Sequence, residues 1–174
     1  MEPAKKARRL LRSACRDSVR RKRGSICDDY PNVWVGVTAE NQQWFDRRWK
    51  ILSNIPAVVR FISYEPALGP VRLPTSGPLP DWLISGGESG PRARPIKRKW
   101  VRNIILDCNR FSVAVFHKQW GTYAHNPLVT KHGLTIGEAK ARDPHPGGKG
   151  GSLIDGQLVQ EFPVPRRRIV SSAA

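Results

Sequence analysis

The sequence predicts an α/β fold with a mostly parallel sheet, and three observations carry that prediction. Four short β-branched and aromatic segments recur: Val33–Thr38, Val58–Tyr64, Trp82–Ser85 and Ser112–His117. They are apolar on both faces, as parallel strands covered by helices are. Their starts fall at intervals of roughly 25 residues, the size of a βα unit. Stretches of helical periodicity separate the first from the second and the third from the fourth.

Taken in order, residues 1–24 form the first element. Ala7, Leu10, Leu11, Ala14, Ser18 and Val19 recur at helical spacing, and Gly24 supplies a stop. The segment carries ten Lys and Arg against Glu2 and Asp17. The predicted organisation is a basic N-terminal helix or extension over residues 1–30, a barrel-like α/β portion over 31–125, and a loop, hairpin and basic tail over 126–174. After the first strand, Asn41–Asn54 places Trp44, Phe45, Arg48 and Leu52 at helical spacing. After the third, Lys99–Asn109 places Trp100, Val101, Ile104 and Ile105 on one stripe. Both are crossover helices by this reading. Between the second and third strands, Pro66, Pro70, Pro74, Pro78 and Pro80 exclude a helix. Near the end, Asp155-Gly156 between apolar pairs reads as a short hairpin.

The chain has 174 residues, and 30 Lys and Arg against 14 Asp and Glu leave a net charge of +16. Such a field favours anionic partners, although a basic surface that merely faces solvent accounts for charge equally well. The first 24 residues hold half of it, and Arg8, Arg9, Arg12, Arg16, Arg20, Arg21, Lys22 and Arg23 are the candidate nucleic-acid contacts. Further basic runs are Arg92 to Arg102 and Arg166 to Arg168. No apolar run is long enough to cross a membrane, and the basic N-terminus lacks the apolar stretch of a secretory signal. Cys15, Cys27 and Cys108 are too scattered for a disulfide framework, so the expectation is a reducing cytoplasm. The four histidines show no metal-ligand spacing, and no metal site is predicted.

The strand ends carry the chemistry. The first strand runs into Glu40 and Asn41, the second into Glu65, the third into Gly86, Gly87 and Glu88, and the fourth into Lys118, Gln119 and Trp120. In barrel-like α/β folds the C-terminal ends of the strands line the site. These nine residues are therefore the candidate ligand-binding set. Convergent carboxylates suit an amine, a metal or a proton in transit. Alternatively, each Glu serves the positive N-terminus of the helix that follows. The Gly86–Pro91 segment matches neither a dinucleotide fingerprint nor a P-loop, and the glycines from 147 to 151 read as a linker.

The ordered set VWVGVTAEN, VRFISYEPALGP, DWLISGGESGPRARP, FHKQWG and DGQ…EFP resembles a phage-associated bacterial family of uncharacterised proteins named after gene products thirty-seven and sixty-eight. The resemblance runs from about Pro31 to Pro163. It implies a radical S-adenosylmethionine-like protein and the C-terminal portion of a partial (β/α) barrel. For full-length members it implies S-adenosylmethionine and a four-iron iron–sulfur cluster. Three closely spaced cysteine thiolates would hold that cluster. This sequence has no CxxxCxxC, so the expectation is a truncated chain that holds no cofactor and is inactive alone. The partners that follow are a missing N-terminal half or association through open sheet edges. A non-enzymatic, sequence-nonspecific nucleic-acid-binding protein is the alternative.

Overall fold

The computed structural model describes residues 32–165. Four strands, β1 (Val35–Thr38), β2 (Arg60–Tyr64), β3 (Trp82–Gly86) and β4 (Ala114–Gln119), form one sheet in the order β1-β2-β3-β4. Every neighbouring pair is parallel. Helices α1 (Gln42–Leu52) and α2 (Arg98–Phe111) make the first and last crossovers. The architecture is α/β and partial-barrel-like, as the strand rhythm predicts. The basic N-terminal helix lies outside the described residues, as does the Arg166–Arg168 run.

Local chemistry sets the element boundaries. Asn41 caps α1 by accepting the Trp44 N–H at 3.2 Å. Ser112 stops α2 in the left-handed conformation, with φ of 55°. That cap takes Ser112 out of the fourth strand, which begins two residues later than its apolar pattern suggests. The proline-rich link between β2 and β3 has no regular structure but is tied down at both sides. Gln42 and Arg72 exchange two hydrogen bonds, at 2.7 and 3.2 Å. Asp107 of α2 accepts from Leu73 N at 3.3 Å and pairs with Arg72 at 2.8 Å.

One face of the sheet is packed. Ile62, Tyr64, Leu83, Val115 and His117 are sealed beneath Phe45, Trp49 and Leu52 of α1, Val101, Ile104 and Cys108 of α2, and Val71 and Leu73 of the link. The other face carries Gly36, Thr38, Phe61, Ser63, Trp82, Ile84, Ala114 and Phe116, all at least partly open. Apolar residues on both faces predict two covered faces; within 32–165 only one is covered.

Beyond β4, two short helices, α3 (Pro127–Thr130) and α4 (Ile136–Arg142), pack around Tyr123. The Asp155-Gly156 turn forms as predicted, with φ of 52° and 82°, and Ile154 and Gln157 exchange backbone hydrogen bonds at 2.8 and 2.9 Å. The chain then runs antiparallel along β4. His117 N donates to Val159 O at 2.8 Å, and Glu161 N to Val115 O at 2.9 Å. This segment occupies the outer edge of β4, which the sequence pattern does not foretell. The outer edge of β1 has no partner strand among the described residues.

Candidate functional site

Strand parity builds the site. Register pairs Gly36 with Phe61 and Phe61 with Trp82, then Trp82 with Ala114. One layer higher, Thr38 pairs with Ser63, Ser63 with Ile84, and Ile84 with Phe116. Side chains two residues apart share a face, so Glu40, Glu65, Gly86 and Lys118 crown the same open face. That face thus grades from an aromatic floor through two hydroxyls to a charged rim. At the floor, Phe162 stacks against Trp82 and Phe116, with centroids 5.4 and 5.5 Å away.

Each rim carboxylate has a cation. Arg48 of α1 reaches Glu40 at 3.1 Å and also donates to the Thr38 carbonyl at 2.8 Å. Lys118 Nζ lies 3.6 Å from Glu65, whose carboxylate also takes the Ser63 hydroxyl at 3.4 Å. Arg94 grips Glu88 with two guanidinium donors and its own backbone N–H, each at 2.8 Å. Those hydrogen bonds hold the Glu88 carboxyl at about 2, and Arg94 is raised in return. The six side chains form three ion pairs and cancel in net charge.

Backbone contacts hold the strand ends together. Ala67 N donates to Gly86 O and Leu68 N to Glu40 O, both at 2.9 Å, laying the loop after β2 across its neighbours. A side-chain carbon on Gly86 would collide with the Glu65 carboxylate, so glycine leaves room for that group above β3. The loops after β3 and β4 interlock more tightly. A carbon on Gly87 would strike the Trp120 carbonyl, and one on Gly121 would strike the Glu88 carbonyl.

Of the nine candidate residues, Glu40, Glu65, Glu88 and Lys118 stand on the rim and Gly86 shapes it. The other four do structural work. Asn41 spends its carbonyl oxygen on the α1 cap. Gly87 is the close-approach point just described. Gln119 is buried and holds both loops, donating to Gly87 O at 2.9 Å and accepting from Gly121 N. Trp120 is 0% exposed, and its indole N–H donates to Leu153 O at 3.1 Å, so a ligand on the rim cannot stack on it. The eight candidate nucleic-acid residues, Arg8 to Arg23, lie outside the described residues.

Sequence reasoning missed the two arginines that complete the rim. Arg48 could have been found two turns into α1, on the side that faces back to Glu40. Arg94 stands in the GPRARP run, six residues after its carboxylate, where a short loop returns it. Also unforeseen is Asp143, a buried carboxylate taking Asn126 Nδ2 and Ser152 N at 2.9 Å and Leu153 N at 3.1 Å. It pins the segment after β4 to the glycine-rich turn.

Two other chemistries lack the geometry they need. His117 is wholly buried, with Nδ1 2.9 Å from Ser85 Oγ and its ring 4.5 Å from that of Trp120. Burial pushes its pKa down to about 3. Neither Ser85 nor His117 meets solvent, so this pair is a core contact. Among the described residues, no three His, Cys, Asp or Glu side chains gather to hold a metal ion.

The chain matches, over residues 4–163, the model of a family described as "Protein of unknown function (DUF5131)". The chain belongs to that family. The match takes in residues 4–30, so the predicted extension falls within the family's shared region. No curated protein and no solved structure matches the chain. No described helix is long and apolar enough to cross a membrane.

Proposed function

We propose that this chain is the ligand-binding part of a (β/α)-barrel protein of the radical S-adenosylmethionine type, and that its rim binds a small zwitterion. The observation that carries the proposal is the Glu65–Lys118 pair, seated above Gly86 at the top of an open, graded sheet face. A carboxylate and an ammonium side by side at strand C-termini offer opposite charges to a ligand that itself carries both. S-adenosylmethionine, the compound implied by the resemblance, has that character in its amino-acid portion.

The residues do not fit a four-iron cluster in the same way. Thiolates are the required donors. Cys108 is buried on the inner side of the last turn of α2, at the end of the sheet opposite the rim, and burial pushes its thiol pKa upward. Cys15 and Cys27 lie outside the described residues. The reading therefore assigns binding, and no redox step, to this chain. The open sheet face supports the accompanying idea that further polypeptide covers it when the protein works, because parallel sheets are covered on both faces.

Calorimetric titration of the full chain with S-adenosylmethionine tests the reading. Saturable heat is expected, with affinity falling about tenfold, or about 1.4 kcal/mol, in both Glu65→Gln and Lys118→Ala. Absence of heat, or equal affinity in all three proteins, overturns it.

A further inference from the structure

We infer that the loop from β3 into α2, with the first turns of that helix, is a docking surface for the phosphodiester backbone of a nucleic acid. The inference goes beyond the rim reading and does not rest on it.

Charge distribution is the first argument. Residues 32–165 hold 17 Lys and Arg against 10 Asp and Glu, a net +7. Arg92, Arg94, Lys97, Arg98, Lys99 and Arg102 fall within eleven residues, and the acids that pair with them are Glu88 and Asp155. The surface thus carries +4, more than half the charge of the described residues. A basic composition spread evenly over a solvated exterior would not gather it so.

Pairing is the second argument. Asp155, at the tip of its turn, takes both Arg98 and Arg102, and Glu88 takes Arg94. These pairs fix the frame. Arg92, Lys97 and Lys99 are exposed and make no ion pair among the described residues, so their charges face outward. Lys97 Nζ lies 5.2 Å from the centre of the half-buried Trp100 ring, which braces its stem. Three outward cations on a braced loop suit a row of phosphates, which position a nucleic acid without reading its sequence.

The test is fluorescence anisotropy of the full chain with a labelled duplex of about 20 base pairs, over a series of salt concentrations. Substituting Arg92→Ala, Lys97→Ala and Lys99→Ala together should weaken binding about tenfold near 150 mM salt and flatten the log–log salt slope by about 2 to 3 units. These side chains hold no described contact that the fold needs, and circular dichroism checks that the triple variant is folded. An equal-charge control, Lys50→Ala, Lys131→Ala and Lys149→Ala, should leave the slope nearly as it was. Four results overturn the proposal: no duplex binding by the native chain; unchanged affinity and slope in the loop triple, which leaves residues 8–23 to carry all binding; a loss in the control as large as in the loop triple; or a loss in the loop triple confined to vesicles of anionic phospholipid, which makes the surface a membrane contact.

Discussion

The two faces of the sheet are made by the same four strands and lead opposite lives. On one, Ile62, Leu83 and Val115 are sealed beneath two helices and a proline-rich link. On the other, Phe61, Trp82, Ile84 and Phe116 remain half-open, with Phe162, 63% exposed, lying against the last of them. The open face is no more polar at its floor than the sealed one. It differs in having a charged rim and, among the described residues, no helix packed above it. An apolar surface kept next to a polar rim is what a binding face or a contact with further polypeptide requires.

The largest expected contrast comes from paired truncations in adjacent positions of the sheet. Ile62→Ala removes a fully buried side chain from the sealed face and should cost about 2–5 kcal/mol in urea unfolding. Ile84→Ala removes the same atoms from the open face and should cost about 1 kcal/mol, because water already reaches them. Equal losses would mean that the open face is covered in solution, and the comparison would then break in favour of a partner segment.

Glycines sharpen the same contrast. Adding a methyl at Gly87 drives it into the Trp120 carbonyl, part of a backbone held by Gln119 and by Trp120 N donating to Gly151 O at 3.0 Å. Gly87→Ala should therefore cost about 1–3 kcal/mol. At Gly36 the obstacle is the Phe61 ring, a side chain with open space beside it. Gly36→Ala should cost less than about 1 kcal/mol, as the ring swings outward. Thermal melts of the two variants decide between these outcomes.

The sequence legibly records the strands, the two crossovers, the proline link and the Asp-Gly turn, because each rests on local chemistry: β-branched runs, helical spacing, ring constraints and positive φ. It records the rim carboxylates for the same reason, since a strand end is a local feature. It hides what depends on distance along the chain. Glu161 and Val159 pair with β4 across more than 40 residues, and no period marks them. Alternation sets Gln119 with Val115 and His117 on the sealed side, but it could not tell that Trp120, in step with Lys118, faces the packing of two loops instead of the rim. Phe61, Trp82 and Phe116 read as core from their chemistry. Their openness follows from what covers the sheet, which no strand encodes for itself.

An effect spread over pH follows from the buried histidine. His117 titrates near 6.5 when unfolded and about 3 when folded. Between those values the unfolded chain takes up a proton that the folded chain refuses, so stability falls as pH drops below 6.5. The slope should approach about 1.4 kcal/mol per pH unit. His117→Gln should lose stability at neutral pH and abolish the slope between pH 6.5 and 5, measured by urea midpoints. A slope that persists would place its source elsewhere.

The smallest effect belongs to the open rim. The Glu88 carboxyl is held at about 2 by the Arg94 hydrogen bonds, below its ordinary value of 4.5. The sign is opposite to that of His117. The unfolded chain binds the proton first as pH falls, so the contribution of Glu88 is present above 4.5 and is lost on the way down to 2. Both partners are solvated, and water screens what the pair adds to the fold. Arg94→Ala should thus leave the urea midpoint at neutral pH unchanged. The Glu88 carboxyl, followed by carbon-13 chemical shift, should move back toward 4.5. A large loss of stability in Arg94→Ala would show that the ring closed by Glu88 and Arg94 holds the interlocked loops, and that the rim belongs with the sealed half of the molecule.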